Sequence, residues 1–160
     1  MKLLRPKWDD VDEMCEELAL AIRDSGFRPD VIVGIARGGW VPARLLSDKM
    51  HHEHVASMRV EFYTAPGETR KVPAITQPVS VSVKDKRVLL VDDVSDTGHS
   101  LEIALKSFCD AKEVRTATLH YKPHSILKPD YFVGTTSDWI VYPWEVEETE
   151  RKLKQKKGKQ

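Results

Sequence analysis

The segment from residue 87 to residue 100, RVLLVDDVSDTGHS, constrains the fold more than any other part of the chain. Its four apolar residues, Val88 to Val91, are typical of a strand buried on both faces, as in a parallel sheet. Asp92 and Asp93 follow this strand, and a loop of small polar residues leads into a helical pattern that begins at Leu101. Loop N–H groups and a helix dipole favour an anion, so the segment predicts a phosphate-binding site.

Strands and helices alternate along the rest of the chain. Apolar spacing predicts helices over residues 9–25, from about 40, and over 100–110, and strands over 31–36, 55–63, 79–83, 113–121 and parts of 131–144. This alternation predicts an α/β fold with a doubly wound, mainly parallel sheet. Ligands bind beyond the carboxyl ends of such strands, so the loops after Ala36 and Val91 are expected to face one cleft.

Two segments show no clear strand or helix pattern. Residues 64–78 contain three prolines and one glycine, which predicts a long mobile loop. Residues 148–160 are expected to be a frayed, charged tail after a single domain of residues 1–147. Six of the ten residues from 151 to 160 are Lys or Arg, which leaves RNA binding by this tail open.

Composition excludes several classes of protein. The net charge is zero, so no overall basic field points to nucleic acid. No apolar run approaches the ~20 residues that cross a bilayer, and Cys15 and Cys109 are expected to be reduced, as in a cytoplasmic protein. His51, His52 and His54 lack partner ligands at zinc-like spacing, which favours a solvated turn over a metal site.

The tripeptide Arg37-Gly38-Gly39 closes the predicted strand 31–36. Paired glycines let backbone amides approach a ligand closely, and the arginine adds a fork of donors. The tripeptide alone is equally consistent with a plain turn that carries a surface arginine. Asp92 and Asp93 alone would also be better explained as solvated residues at a strand end. Only the loop that follows them, residues 95–100, favours a ligand-binding site.

The block of acidic pair and loop, ending Thr97-Gly98-His99-Ser100, resembles the 5-phosphoribosyl-1-pyrophosphate (PRPP) motif of type I phosphoribosyltransferases. Lys122-Pro123 and the segment 138–145, DWIVYPWE, are similar to the base-binding hood of xanthine-guanine and archaeal 6-oxopurine members. The resemblance covers roughly residues 8–147. It implies the type I fold, a small C-terminal hood over about 122–147, and a catalytic flap over about 64–78. Tyr63, just before the flap, or Lys71, within it, is a candidate to reach pyrophosphate.

The resemblance also implies a role for each matching residue. Asp92 and Asp93 would hold the ribose hydroxyls and organise Mg²⁺ with PRPP, directly or through PRPP or water. Asp96 would lie near N7 of the purine. Arg37 and Gly38 would bind pyrophosphate, with a cis peptide before Arg37. The residues implied to wrap the 5-phosphate are Thr97, Gly98, His99 and Ser100. The residues implied to bind the base are Lys122 at O6, Trp139 by stacking, and the backbone of Ile140 at the purine edge.

The function implied is transfer of the phosphoribosyl group from PRPP to guanine, hypoxanthine or xanthine in purine salvage, with Asp92, Asp93, Asp96 and Arg37 as the catalytic residues. A donor at O6 favours these bases over adenine. Mg²⁺ is the expected cofactor, and a homodimer or homotetramer in the cytoplasm is the expected form. Two alternatives stay open: a PRPP-binding regulator without turnover, and a phosphoribosyltransferase for another base.

Overall fold

The computed structural model describes residues 2–64 and 66–157 of the 160-residue chain. The elements in chain order are β1 (Leu3–Leu4), α1 (Trp8–Asp24), β2 (Val31–Ala36), α2 (Trp40–Lys49), β3 (Val55–Thr64), β4 (Lys71–Gln77), β5 (Arg87–Ser95), α3 (His99–Lys106), β6 (Glu113–Tyr121), β7 (Tyr131–Thr135), β8 (Trp139–Ile140) and α4 (Val146–Lys157). The main sheet has the order β4-β3-β2-β5-β6-β7. Only the β3–β4 pair within it is antiparallel.

Both faces of this sheet are covered, which explains the continuous apolar run of β5. Leu89 and Val91 pack in one core with α1 and α2, whereas Val88 and Leu90 pack in a second core with residues of α3. All four side chains are fully buried. The predicted doubly wound, mainly parallel α/β fold is therefore confirmed.

Residues 71–77 form a strand, so the prediction of one long loop over 64–78 is wrong. Strand β4 pairs with β3 from Thr64 opposite Lys71 to Arg59 opposite Gln77. Pro73 is tolerated because β4 is an edge strand and one side of it needs no ladder hydrogen bond. The predicted edge strand over 79–83 is also wrong, because β4 already occupies that edge. Those residues form no strand, and residues 80 and 81 lie in a bend.

The C-terminal tail is helical over Val146–Lys157, contrary to the expected fraying, and residues 158–160 lie outside the described part of the chain. Glu147 and Glu148 in the first turn of α4 complement the helix dipole. The Nζ atom of Lys152 lies 2.6 Å from a carboxylate oxygen of Glu148, one helical turn away. Local charge pairing therefore supports a helix that hydrophobic periodicity did not indicate.

The chain beyond β6 divides between the main sheet and the predicted hood. Strand β7 extends the main sheet beside β6, whereas β8 pairs in parallel with the N-terminal strand β1, with Leu3 opposite Trp139. The two residues of β1 are too few for a sequence pattern, and the sequence did not predict them. No helix among the described residues is long and apolar enough to span a bilayer.

Candidate active site

The loops after β2 and β5 open at the same edge of the sheet, as predicted. The two strands are parallel neighbours, with Gly34 opposite Val91. The Ala36–Arg37 peptide bond is cis, as the resemblance implied. A Cβ atom built on Gly38 would overlap the Asp93 carboxylate. The two loops therefore touch, and only glycine fits at position 38 with the carboxylate where it lies.

Gly39 packs its backbone between the same two strands. Its N–H group donates to the Ile35 carbonyl oxygen over 2.8 Å, and a built Cβ would lie 2.7 Å from that oxygen and 2.8 Å from the Ile35 nitrogen. We expect Gly39→Ala to lower the free energy of unfolding by about 2–3 kcal/mol, since neither strand can shift freely. Urea unfolding measures this loss.

The matched control is Gly67→Asn. Nothing lies within 4 Å of a Cβ built on Gly67, and its φ of +83° is a conformation that asparagine tolerates. We expect this variant to lose about 1 kcal/mol, the backbone cost of a side chain at positive φ, and clearly less than Gly39→Ala. An equal loss of stability in both variants would contradict the packing explanation for Gly39.

The first of two cavities at this edge is the phosphate cavity, which measures about 490 Å³ and is lined by Phe62, Lys71 and residues 92–101. Gly98 precedes α3 with φ +86°, and His99 and Ser100 are the first residues of that helix. The N-terminus of α3 therefore belongs to the cavity wall, where unpaired N–H groups and the helix dipole favour an anion. Thr97, between Asp96 and Gly98, lines the same cavity.

Asp92 and Asp93 lie at the carboxyl end of β5, in the wall of the phosphate cavity. The Asp93 N–H group donates to Asp92 Oδ1 over 2.9 Å, and the Val94 N–H group donates to Asp93 Oδ1 over 2.8 Å. Burial raises the pKa of Asp92, and the charge of Asp93 raises it further. Burial, followed by the charge of Glu145, raises the pKa of Asp93. Such a pair favours a nearby cation.

The donor set suits Mg²⁺ that is shared with a substrate. Carboxylate oxygens are hard ligands, and Mg²⁺ typically takes one or two of them together with water and substrate phosphates. Among residues 2–64 and 66–157, no group of three or more His, Cys, Asp or Glu side chains is placed to hold a metal. Asp92 and Asp93 could therefore supply two ligands to a Mg²⁺ ion whose other ligands are water or substrate phosphates.

The second cavity is the base pocket, which measures about 460 Å³, within the usual size range of small-ligand sites. It adjoins the phosphate cavity, because Asp93, Val94 and Asp96 line both. The remaining residues of its wall lie in the predicted hood, after β6 and before α4: Lys122, Ser137, Trp139, Ile140, Tyr142 and Glu145. The three predicted base-binding residues are thus brought together.

Burial differs among these three residues in a way that suits a planar ligand. Lys122 is only 9% exposed and Ile140 only 7%, whereas Trp139 is 42% exposed. The Lys122 Nζ atom lies 3.2 Å from Asp96 Oδ2. The pocket therefore offers an open aromatic face beside a buried cation and a carboxylate.

The phosphoribosyl transferase domain family matches residues 7–151, nearly the whole chain. The chain belongs to the phosphoribosyltransferase family. It is 31% identical to the xanthine-guanine phosphoribosyltransferase of Cereibacter sphaeroides, over 87% of this chain and 84% of the relative. It is 28% identical to the hypoxanthine-guanine phosphoribosyltransferase of Schizosaccharomyces pombe, over 89% of each.

Two solved structures are similar to this phosphoribosyltransferase over most of their length. The purine phosphoribosyltransferase of Pyrococcus horikoshii is 41% identical, with a TM-score of 0.81 over 90% of this chain and 94% of that one. A Neisseria gonorrhoeae protein with bound ppGpp is 28% identical, with a TM-score of 0.80 over 94% of both chains. The fold and the sequence therefore point to the same family.

The Arg37 side chain is not placed as the sequence suggested. Its guanidinium lies 2.7 Å from Glu148 Oε2 on α4 and lines neither the phosphate cavity nor the base pocket. Lys152, followed by Arg37, lowers the pKa of Glu148 to about 2. To reach a pyrophosphate in the phosphate cavity, the arginine would exchange this carboxylate for the ligand. Arg37 and Glu148 are 111 residues apart, so no local sequence pattern indicates their contact.

Sequence reasoning also missed Tyr142, which anchors the hood to strand β5 of this phosphoribosyltransferase. Its hydroxyl donates to the Asp93 carbonyl oxygen over 2.9 Å and lies 2.8 Å from His120 Nδ1. Burial lowers the pKa of His120 to about 4, so the ring is neutral. Because the tyrosine hydroxyl donates its proton to the Asp93 carbonyl oxygen, His120 Nδ1–H is the donor to the tyrosine oxygen. The aromatic run 139–144 was the only available signal.

Proposed function

We propose that this phosphoribosyltransferase transfers the 5-phosphoribosyl group from PRPP to a 6-oxopurine in purine salvage and releases pyrophosphate. The observation that carries the proposal is the base pocket, where buried Lys122 and the open Trp139 ring share a wall with Asp96. An ammonium group can donate to O6 of guanine, hypoxanthine or xanthine, and an exposed indole can stack on any purine. The relatives named for xanthine-guanine and hypoxanthine-guanine transfer support the same base class.

The transfer reaction requires positioning of the substrates and stabilisation of charge, and no covalent nucleophile. As pyrophosphate leaves, C1 of the ribose becomes cation-like, and N9 of the purine attacks it. N–H groups of residues 97–100 and the N-terminus of α3 hold the 5-phosphate. Asp92 and Asp93 hold the ribose hydroxyls. Asp96 accepts the N7 proton, while Lys122 orients the base through O6.

Mg²⁺ is part of the proposal through Asp92 and Asp93, which would hold it together with PRPP or water. When bound, the ion neutralises the charge that develops on the leaving pyrophosphate. The carboxylates in turn orient the ribose of the same substrate. Raising free Mg²⁺ should therefore strengthen PRPP binding, which calorimetric titration of PRPP at several Mg²⁺ concentrations measures.

A panel of bases tests the proposed function. The purified protein is incubated with PRPP, Mg²⁺ and one of guanine, hypoxanthine, xanthine, adenine, orotate or nicotinate, and both nucleotide and pyrophosphate are measured. We expect turnover with at least one of the first three. Turnover with orotate or nicotinate alone would favour a phosphoribosyltransferase for another base. PRPP binding without turnover would favour the PRPP-binding regulator.

Lys71 is expected to contribute to PRPP binding, since it lines the phosphate cavity, whereas Tyr63 lies beside Glu61. We expect Lys71→Ala to raise the KM for PRPP about tenfold, through loss of one charge-assisted contact to phosphate, with a smaller effect on the KM for the base. Steady-state kinetics measures both constants. The control is Lys84→Ala, in an exposed turn. If both variants change the KM equally, general charge attraction rather than a contact explains the effect.

The homodimer or homotetramer and the cytoplasmic location stay predictions. Exposed aromatic side chains support self-association, because Trp8 is 55% exposed and Trp40 is 48% exposed. Light scattering coupled to size-exclusion chromatography measures the mass in solution.

A further inference from the structure

His124 faces Asp96 because two backbone hydrogen bonds fix the register of their segments. The Lys122 N–H group donates to the Ser95 carbonyl oxygen, and the Ile126 N–H group donates to the Thr97 carbonyl oxygen, each over 3.0 Å. Residue 124 lies midway between 122 and 126, as residue 96 lies midway between 95 and 97. The backbone therefore brings the two side chains opposite each other.

The side chains complete this contact. His124 Nε2 lies 3.0 Å from Asp96 Oδ1, and Lys122 Nζ lies 3.2 Å from Asp96 Oδ2. Each carboxylate oxygen thus has one nitrogen donor, when the Nε2 of the imidazole carries its proton. The Asp96 side chain is otherwise half-exposed at 52% and lies in a loop, where several rotamers are open to an unrestrained carboxylate.

We infer that His124 is a positioning residue for Asp96, and this inference rests on the proposed function. When a 6-oxopurine binds, Lys122 turns its ammonium toward O6, and its hold on Asp96 weakens. His124 then keeps the carboxylate fixed through Oδ1, which leaves Oδ2 free to accept the N7 proton. The ring lines neither the phosphate cavity nor the base pocket, so it acts through Asp96.

His124→Ala, His124→Gln and Asp96→Asn, alone and combined, test the inference. The amide nitrogen of glutamine can replace the Nε2 donor. With guanine, PRPP and Mg²⁺, we expect His124→Ala to lower kcat about tenfold, the effect of one lost charge-assisted hydrogen bond, with the KM for PRPP unchanged within about twofold. His124→Gln should keep kcat within about threefold of the wild type. In the Asp96→Asn background, His124→Ala should change kcat by less than about twofold.

His54→Gln is the control, because this exposed histidine lies at the opposite edge of the sheet, before β3. Thermal unfolding of every variant checks the fold. An unchanged kcat in His124→Ala would overturn the inference. So would a tenfold loss that persists in the Asp96→Asn background, because His124 would then act independently of Asp96. A wild-type protein without turnover on any base would overturn the proposed function itself, and the inference with it.

Discussion

Replacing both Asp92 and Asp93 with asparagine is expected to abolish detectable turnover while raising the stability of the fold. The two carboxylates line the phosphate cavity side by side, and their loss removes the groups proposed to hold the ribose and Mg²⁺. Removal of one preorganised electrostatic group typically costs a factor of 10² to 10³, so the double variant should lose at least about a thousandfold in kcat/KM. Calorimetric titration should show no Mg²⁺-dependent binding of PRPP.

The stability of the same variant should rise with a defined pH dependence. Burial raises the pKa of both carboxyl groups in the folded protein, so the native state binds their protons more tightly than the unfolded chain. Wild-type stability therefore falls as pH increases from the ordinary aspartate pKa through the raised values. Asparagine has no such titration. We expect the variant to exceed the wild type by about 1–2 kcal/mol at pH 8 and by less at pH 5.

Chemical unfolding at the two pH values measures this difference. Asp110→Asn serves as the control, because Asp110 is exposed and remote from both cavities. Turnover retained in the double variant would mean that the acidic pair takes no part in PRPP binding. A variant less stable than the wild type at pH 8 would mean that the pair stabilises the fold. That result would contradict the free-energy cost expected from burying two carboxylates.

Lys122→Ala is expected to remove the preference for 6-oxopurines. The Lys122 side chain is only 11% exposed, so its ammonium depends on partners within the pocket. Asp96 is one of them, and under the proposed function O6 of the bound base is the other. Adenine presents a donor where these bases present O6, and two partly desolvated donors would then face each other. An unpaired buried polar group costs about 1–3 kcal/mol, which predicts at least a tenfold preference of the wild type for guanine or hypoxanthine over adenine.

Steady-state kinetics with each base measures the change in preference. Lys122→Ala should lower kcat/KM for guanine and hypoxanthine about a hundredfold, a loss that matches one buried charged hydrogen bond, and PRPP binding should change within about threefold. Trp139→Ala is the matched comparison, because stacking ignores ring substituents and its loss should weaken every purine alike. A wild-type protein that used adenine as well as guanine would contradict the assignment of the base pocket.

Much of the site could be predicted because its residues are continuous in the sequence. Residues 87–100 combine a buried strand, two carboxylates and a helix N-terminus within one segment, so local periodicity and residue type were sufficient. The strands at 31–36 and 113–121 were predicted for the same reason, and β2 and β6 confirm them. Parallel pairing then required the loops after Ala36 and Val91 to share one edge of the sheet.

The edge strand and the last helix form through pairing that was not recognised in the sequence. Strand β4 contains Pro73 and forms because β3 supplies a partner on one side. Helix α4 contains only two apolar residues, Val146 and Leu153. Its Glu148 pairs with Lys152 one turn away in the same helix and with Arg37 in the loop after β2. Proline, glycine and charge were therefore interpreted as loop and tail signals, although strand pairing in β4 and charge pairing in α4 overrode them.

By itself, the sequence determined the parallel sheet, the place of the phosphate cavity and the residue types that face the ligands. Only the tertiary structure decided how those residues are held. His124 contacts Asp96 across 28 residues, Tyr142 contacts Asp93 across 49, and Arg37 contacts Glu148 across 111. Helix and strand periods repeat over two to four residues and leave a local pattern. Contacts at such separations depend instead on how the completed layers pack, and no period in the sequence records them.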